Sequence, residues 1–428
     1  VLSIPKPRRV AILGGRRIPF ARSNTAYADA SNQAMLTAVL QSMVDRFGLA
    51  GMRLGEVAAG AVLKHSRDIN LTREAVLSTS LSPETPAYDV QQACGTGLES
   101  AILVANKIAL GQIEVGIAGG ADTTSDPPIA INERFRQALL RANRARTLGS
   151  RLKALAGIRP DLPFRPDLPR NAEPRTGLSM GEHCEQMAKQ WNITRADQDA
   201  LAAASHRAMA AAYDRGDFAD LITPWRGLSR DNNLRPDSSA EKLARLAPVF
   251  DRTGGTLTAG NSTPLTDGAA AVLLASEDWA HAQGLPILAY LRAAETAAVD
   301  FASGAEGLLM APAYAVPRML DKLGITLQDF DFYEVHEAFA AQVLCTLAAW
   351  EDPTFAQERL ARAAPPGGID RSRLNVNGSS LAAGHPFAAT GGRILATLAQ
   401  SIDRRGGGRG LISICAAGGQ GVVAVVEK

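Results

Sequence analysis

Residues 87–120 read AYDVQQACGTGLESAILVANKIALGQIEVGIAGG, and this stretch decides the fold class. Ala87 to Gln91 has the texture of a short strand. Apolar residues at 98, 101, 102, 105, 108 and 109 then fall at helical spacing and predict a helix over 98–110. Val115 to Ala118 follows as a buried strand that ends in Gly119-Gly120. Strand, helix and strand in that order argue for a layered α/β domain.

Upstream, Arg9 to Gly14 reads as an opening strand, Asn32 to Phe47 as a helix and Glu56 to Val62 as another strand. Downstream the texture changes from Ile129 to Leu246: prolines and arginines crowd the chain up to Arg175, and strand signals vanish. Trp191 to Tyr213 reads as two helices, with Thr194 and Asp197 resembling a capping box. Strand-like texture returns over Thr256 to Ser276. The remainder repeats the plan: strands at 287–292 and 332–335, helices at 313–323, 337–350 and 391–402, and a hairpin of 411–415 with 422–426. The expected architecture is therefore a duplicated α/β fold of two layered αβα-type halves. Residues 1–128 and 247–278 form the first half, 129–246 an inserted loop domain, and 279–428 the second half.

With 428 residues, 46% of them hydrophobic and 21% charged, the chain is long enough for two or three domains. A net charge of +2 gives no case for nucleic-acid binding. No apolar run reaches the length of a membrane span, and Val1 to Arg9 lacks the apolar core of a secretory signal. Cys94, Cys184, Cys345 and Cys415 stand far apart, with no CxxC pair, so neither a metal site nor a redox motif is expected. The cytoplasm or another reducing compartment suits such sparse thiols. Cys345 lies in an apolar helical run and reads as core; Cys184 is open.

Cys94 lies between a strand and a long helix, flanked by glycine. Helix-terminal N–H groups and the helix dipole there favour thiolate and should lower the thiol pKa from about 8.5. A buried small residue in a strand-to-helix turn fits that position equally well. His385, in Gly384-His385-Pro386, is held between a flexible and a rigid neighbour, as suits a base, though a turn histidine facing water has the same surroundings. Cys415 ends an apolar strand before the Gly-rich turn Ala416 to Gly421, whose N–H groups can form an oxyanion hole or simply close a hairpin. His336, in His336-Glu337-Ala338-Phe339, stands at a strand-to-helix junction. Together these two cysteines and two histidines fit covalent catalysis.

In this order the four motifs resemble the thiolase superfamily, a match that includes Ala259 to Thr263 and Asp267 to Ala270 and covers essentially the whole chain. The His336-Glu337-Ala338-Phe339 motif and the Cys-Ala-Ala-Gly-Gly-Gln-Gly ending are most similar to the β-subunits of fatty-acid-oxidation trifunctional complexes. The resemblance implies a 3-ketoacyl-CoA thiolase of fatty-acid β-oxidation, with CoA as substrate and no metal or other cofactor. It implies Cys94 as acyl-accepting nucleophile, His385 as its base and Cys415 as the second proton carrier. His336 with His385 would serve the enolate oxygen, and the N–H groups of Cys94 and Gly418 the tetrahedral intermediate. Thr263 and Met180 match positions along the pantetheine channel. Relatives often carry Asn at position 336 and Gly at position 417. Alternatives are an acetoacetyl-CoA thiolase working in the condensing direction and, from another class, a non-catalytic acyl-CoA-binding scaffold. Implied partners are a second copy or three, and an α-subunit.

Residues 134–170 hold ten basic and two acidic side chains, a net of +8. Leu148, Leu152, Leu155 and Ile158 follow helical spacing, with Gly149 and Pro160 limiting helix length. Three roles fit: a solvated lid whose apolar side packs on the body, a binder of CoA phosphates, or a dock for an anionic membrane or an α-subunit.

Overall fold

The computed structural model describes residues 7–156, 158, 159, 161 and 164–428, so the readings placed on Val1–Lys6 and on Pro160 lie outside the described residues. Among those residues the chain forms ten strands. They are β1 (Val10–Arg17), β2 (Ala21–Arg22), β3 (Glu56–Ala59), β4 (Ala87–Asp89) and β5 (Val115–Asp122). The others are β6 (Thr266–Ser276), β7 (Ala289–Ala298), β8 (Phe332–Val335), β9 (Arg409–Ala416) and β10 (Gln420–Glu427).

The strand order is β4-β3-β5-β6-β1-β7-β10-β9-β8, with β2 beside β6. β1 and β7 meet through only two residue pairs, Ala11 with Tyr290 and Ile12 with Ala289. Counted outward from that seam, one side runs β1-β6-β5-β3 and the other β7-β10-β9-β8. On both sides the first two pairings are antiparallel and the third parallel. The internal duplication is thus written in strand order and direction.

Alternate strand residues face opposite ways, and each face has its own cover. On the first half, Ala11, Leu13, Ile117 and Leu273 pack beneath helices α1 (Asn32–Phe47) and α2 (Leu71–Leu77). On the second, Leu411, Val423 and Val425 pack beneath the helices Ala311–Leu323 and Ala340–Glu351. The remaining faces of both halves, including Ile12, Val272, Ile412 and Val422, share one core with α3 (Thr96–Ala109) and the helix Ala389–Arg405. Helices and sheets therefore alternate in five layers, with α3 and Ala389–Arg405 in the middle.

The insertion departs from expectation. It holds α4 (Glu133–Arg144), α5 (Leu148–Ala156), α6 (Met180–Gln190) and α7 (Arg195–Asp214). Trp191 to Tyr213 is one helix rather than two, because Trp191 is the C-cap of α6, and Thr194 caps α7 by accepting from the Asp197 N–H. The reciprocal capping box belongs to Ser179 and Glu182, at the start of α6. Residues 256–265 are not strand: Glu185 accepts from the Thr256 and Leu257 N–H groups and Asn261 from Thr258, so side chains replace a ladder. The lid whose apolar side packs on the body is also corrected, since Leu148 and Leu152 are 73% and 59% exposed and α5 buries no residue.

Candidate active site

Cys94 occupies the turn from β4 into α3. Ala93 adopts φ +46°, and Thr96 fastens the turn by accepting from the Gln92 N–H at 2.8 Å and donating to the Ala93 carbonyl at 2.7 Å. The helix behind it touches the helix behind His385 without side chains between. A Cβ on Gly97 would lie 2.5 Å from the Ala388 carbonyl oxygen, and one on Gly391 would lie 2.2 Å from the Leu98 nitrogen. That close approach of two helix N-termini brings Cys94 of one half to His385 of the other.

Cys94 is the one cysteine with partial exposure; Cys184, Cys345 and Cys415 are buried. Its expected low pKa is corrected. Burial pushes the thiol up to about 12, opposed by the N–H groups of Ala417 and Cys94 itself, with Asp122 and Glu173 adding to the rise. Desolvation outweighs what the helix terminus offers. The sulfur therefore carries its proton at neutral pH and needs a base.

Two bases stand within reach. The Cys94 sulfur and one ring nitrogen from each of His336 and His385 lie within 4.8 Å of one another, and the two rings are 4.2 Å apart. His385 is held by its N–H, which donates to Thr266 Oγ1 at 2.8 Å, and by Nδ1, 2.6 Å from Thr390 Oγ1. His336 follows β8, its N–H donating to the Ser413 carbonyl and its Nδ1 2.8 Å from Ser380 Oγ. The expected helix over 337–350 begins only at Ala340, because 338–340 pair with the 261–263 segment: Ser262 bridges Phe339, and the Thr263 N–H donates to Ala338. In both rings Nε2 is buried without a hydrogen-bond partner. Burial, then Arg393, brings His385 down to about 3; burial, then His385 and Arg393, holds His336 well below the ordinary imidazole range. Both rings are neutral at physiological pH, as a proton acceptor and a neutral donor require. Three such donors would also suit a soft divalent ion.

Cys415 is the penultimate residue of β9 and is 1% exposed. Burial, reinforced by neighbouring Cys94, drives its thiol pKa upward, so it holds a proton to give. In the turn that follows, positive φ falls on Gly418 (79°) and Gly419 (71°) and not on Ala417, which explains how alanine stands where relatives use glycine. The assignment of Gly418 as oxyanion donor is corrected: its N–H already donates to Glu173 Oε1 at 2.8 Å. The turn N–H directed at the Cys94 sulfur is that of Ala417. Glu173, from the insertion, carried no signal in the sequence.

Beside this centre opens a cleft of about 460 Å³ lined by Thr263, Ser262, Phe250 and Leu381, with Arg22, Arg235 and Lys242 supplying positive charge. Thr263 lies along this cleft. Met180 does not line the cleft; it packs against the apolar cluster around Cys184 and Met310. The basic segment faces a separate cleft, with Arg134, Arg141, Lys153 and Arg159. Cations near Thr263 thus come from elsewhere than 134–170, and sequence reading passed them over because they are scattered along the chain.

The family models for the thiolase N-terminal domain and the thiolase C-terminal domain match residues 10–278 and 285–428. The chain belongs to the thiolase family. This thiolase is 43% identical over 426 residues to a 3-ketoacyl-CoA thiolase of Yersinia pestis (strain Pestoides F), covering 98% of this chain and 97% of that protein. The same figures hold for a 3-ketoacyl-CoA thiolase of Yersinia pseudotuberculosis serotype O:3 (strain YPIII). Among solved structures, Bacillus anthracis acetyl-CoA acetyltransferase superposes with a TM-score of 0.81 at 30% identity, over 99% of both chains. Human mitochondrial 3-ketoacyl-CoA thiolase in complex with CoA gives 0.81 at 28% identity, over 98% of both. Within this thiolase's described residues no helix is long and apolar enough to cross a membrane.

Proposed function

We propose that this thiolase cleaves 3-ketoacyl-CoA with CoA, passing the shortened acyl group through Cys94. The carrying observation is the convergence of one thiol and two unpartnered ring nitrogens within 4.8 Å. His385 Nε2 takes the Cys94 proton as the sulfur attacks the 3-keto carbon. The bond between C2 and C3 breaks, and its electron pair leaves as the enolate of acetyl-CoA. Cys415 donates its proton to the enolate carbon, while His336 Nε2–H hydrogen-bonds the enolate oxygen. The CoA thiol then attacks the Cys94 thioester, giving its proton back to Cys415. The N–H groups of Cys94 and Ala417 steady the tetrahedral oxygen, and Cys94 leaves with the proton held by His385.

CoA enters by the Thr263 cleft, with Arg22, Arg235 and Lys242 facing its phosphates and residues 129–246 forming a cover between the two parts of the first half. A scaffold without catalysis has no need of this convergence. The condensing direction uses the same groups in reverse, so substrate range separates the two activities. Thiolysis of acetoacetyl-CoA and of longer 3-ketoacyl-CoAs, compared in one preparation, tests the reading. Faster turnover of the longer substrates supports it, and activity confined to acetoacetyl-CoA replaces it with the condensing enzyme.

For the α4–α5 hairpin we propose a docking role on an anionic membrane surface. Its support is the exposure of Leu148, Leu152 and Phe164 beside Arg144 and Arg151. Co-sedimentation with anionic and neutral vesicles tests it; an α-subunit that covers the hairpin, or a homodimer or homotetramer that buries it, would show instead as a larger assembly in solution. A reducing compartment such as the cytoplasm accords with four unpaired thiols.

A further inference from the structure

The two histidines of the site are neutral, alike in burial and only 4.2 Å apart, yet the proposed chemistry asks opposite things of them. His385 must present a lone pair to Cys94, and His336 must present a hydrogen to an oxygen. A neutral imidazole can do either, depending on which nitrogen holds the proton. What decides it is the partner of the other nitrogen.

Behind His336 that partner is not a simple hydroxyl. Ser380 Oγ lies 2.8 Å from His336 Nδ1 and accepts a hydrogen bond, also 2.8 Å, from Arg393 Nη2. Arg393 reaches Ser379 Oγ as well, at 3.2 Å. Arginine has only hydrogens to give, so its bond occupies a lone pair of Ser380 and leaves the hydroxyl hydrogen to be placed. The one other partner of that oxygen is His336 Nδ1. If Nδ1 carried the proton, a fully buried hydroxyl hydrogen would face no acceptor. Arg393 is itself buried, with Glu334 and Glu337 near enough to act on its charge. Glu337 is fastened by Ser205, Asn375 and the Leu381 N–H.

We infer that Arg393 and Ser380 are positioning residues that set His336 in the tautomer bearing hydrogen on Nε2, making it a donor toward the reacting carbonyl. His385 has a different backing. Its Nδ1 meets Thr390 Oγ1 at 2.6 Å, and no arginine contacts that hydroxyl. One arginine thereby backs one of two adjacent histidines and not the other.

This inference rests on the proposed role of His336 as a donor, and the test separates the two. Nitrogen-15 NMR of histidine-labelled enzyme, with His336 assigned by the His336→Asn variant, reads the tautomer directly. The expected spectrum has a protonated Nε2 and a bare Nδ1 in wild type, and a mixture in Ser380→Ala. Turnover in Ser380→Ala should fall about tenfold with the CoA Michaelis constant unchanged. Ser380→Thr, which keeps the hydroxyl, should restore both readouts. In a His336→Asn background Ser380→Ala should have no further effect, because an amide has no tautomer to set. Protonated Nδ1 in wild-type His336, or an equal loss from Ser380→Ala with and without His336, overturns the inference. Full turnover by His336→Ala together with the expected wild-type spectrum would leave the tautomer assignment standing and remove the donor role.

Discussion

Both halves of the sheet carry an antiparallel pair one strand from the seam, β5 with β6 and β9 with β10, and the two pairs are closed in opposite ways. Between β9 and β10 lie only Ala417, Gly418 and Gly419, so the turn itself becomes part of the site and carries Cys415 with it. Between β5 and β6 the chain runs out from Thr123 to Leu265, forming the insertion, the Thr263 cleft wall and the basic hairpin. A duplicated fold has therefore divided its labour at one equivalent connection. In the proposed mechanism the short version holds proton chemistry in a fixed place, and the long version supplies recognition and cover. The lesson is that equivalent topology constrains where function sits and leaves open which function sits there.

If that division is right, damage to the centre should be large and damage to the insertion small. Cys94→Ala should abolish thiolysis, because no other thiol can hold the acyl group. Iodoacetamide should alkylate Cys94 before Cys184, Cys345 or Cys415, the three buried thiols, as read by peptide mass spectrometry. His385→Ala should slow that alkylation at neutral pH, since the sulfur depends on a base. It should also lower turnover by roughly 10²–10⁴-fold, the range for losing a general base. An unchanged alkylation rate would return the activation of Cys94 to its helix terminus. Cys415→Ser should stop turnover while still allowing acylation of Cys94 from acetyl-CoA, and equal loss of both half-reactions would undo the assigned division.

His336→Ala ranks next, at roughly 10²–10³-fold in turnover, the range for losing one oxyanion donor, with His336→Asn milder because an amide also donates. Stability supplies a second measure of how closed the centre is. His385 titrates near 3 when folded and near 6.5 when unfolded, so between those values the unfolded chain binds more protons. Its contribution is complete above about pH 6.5 and declines by about 1.4 kcal/mol per pH unit as pH falls toward 3. His336, shifted the same way, adds to the decline. Thermal melting of wild type should drop from pH 7 to pH 5 more steeply than that of a His385→Gln variant; parallel curves would mean an open, hydrated site. The smallest effect belongs to the insertion. Replacing Arg144, Arg151 and Arg159 by Gln should leave turnover of short soluble substrates within about twofold, as fits exposed side chains, while reducing retention on anionic vesicles. A raised Michaelis constant for CoA would move the hairpin to the phosphates instead.

Much of this arrangement was legible before any coordinates. Periodicity placed the central helices and strands, since their burial forces the spacing: α1 matches its expected span residue for residue, from the Ser31 cap to the left-handed Gly48. Cys94 and His385 could be picked out because each stands beside glycine or proline, and Cys415 and His336 because each stands at the end of a strand. Failures came where side chains do the work of backbone. Residues 256–265 looked like strand and are held by Glu185 and Asn261. Glu173, Ser380 and Arg393 are unremarkable in sequence, and only folding shows which polar groups they meet. The misjudged thiol follows from the same limit, for a helix terminus is visible in sequence and desolvation is not.

The seam strand β1 has a consequence for how the chain comes into being. Among the described strands it is made first, yet its neighbours β6 and β7 begin at Thr266 and Ala289. β6 is also the partner that joins β5 to the rest of the sheet. Until Ser276 has left the ribosome, β1 and the β5-β3-β4 group have no strand between them, and two open edges persist through synthesis of the whole insertion. Chains broken off inside the insertion should therefore be caught by chaperones or aggregate, and the first half becomes a folded unit only when its last strand arrives.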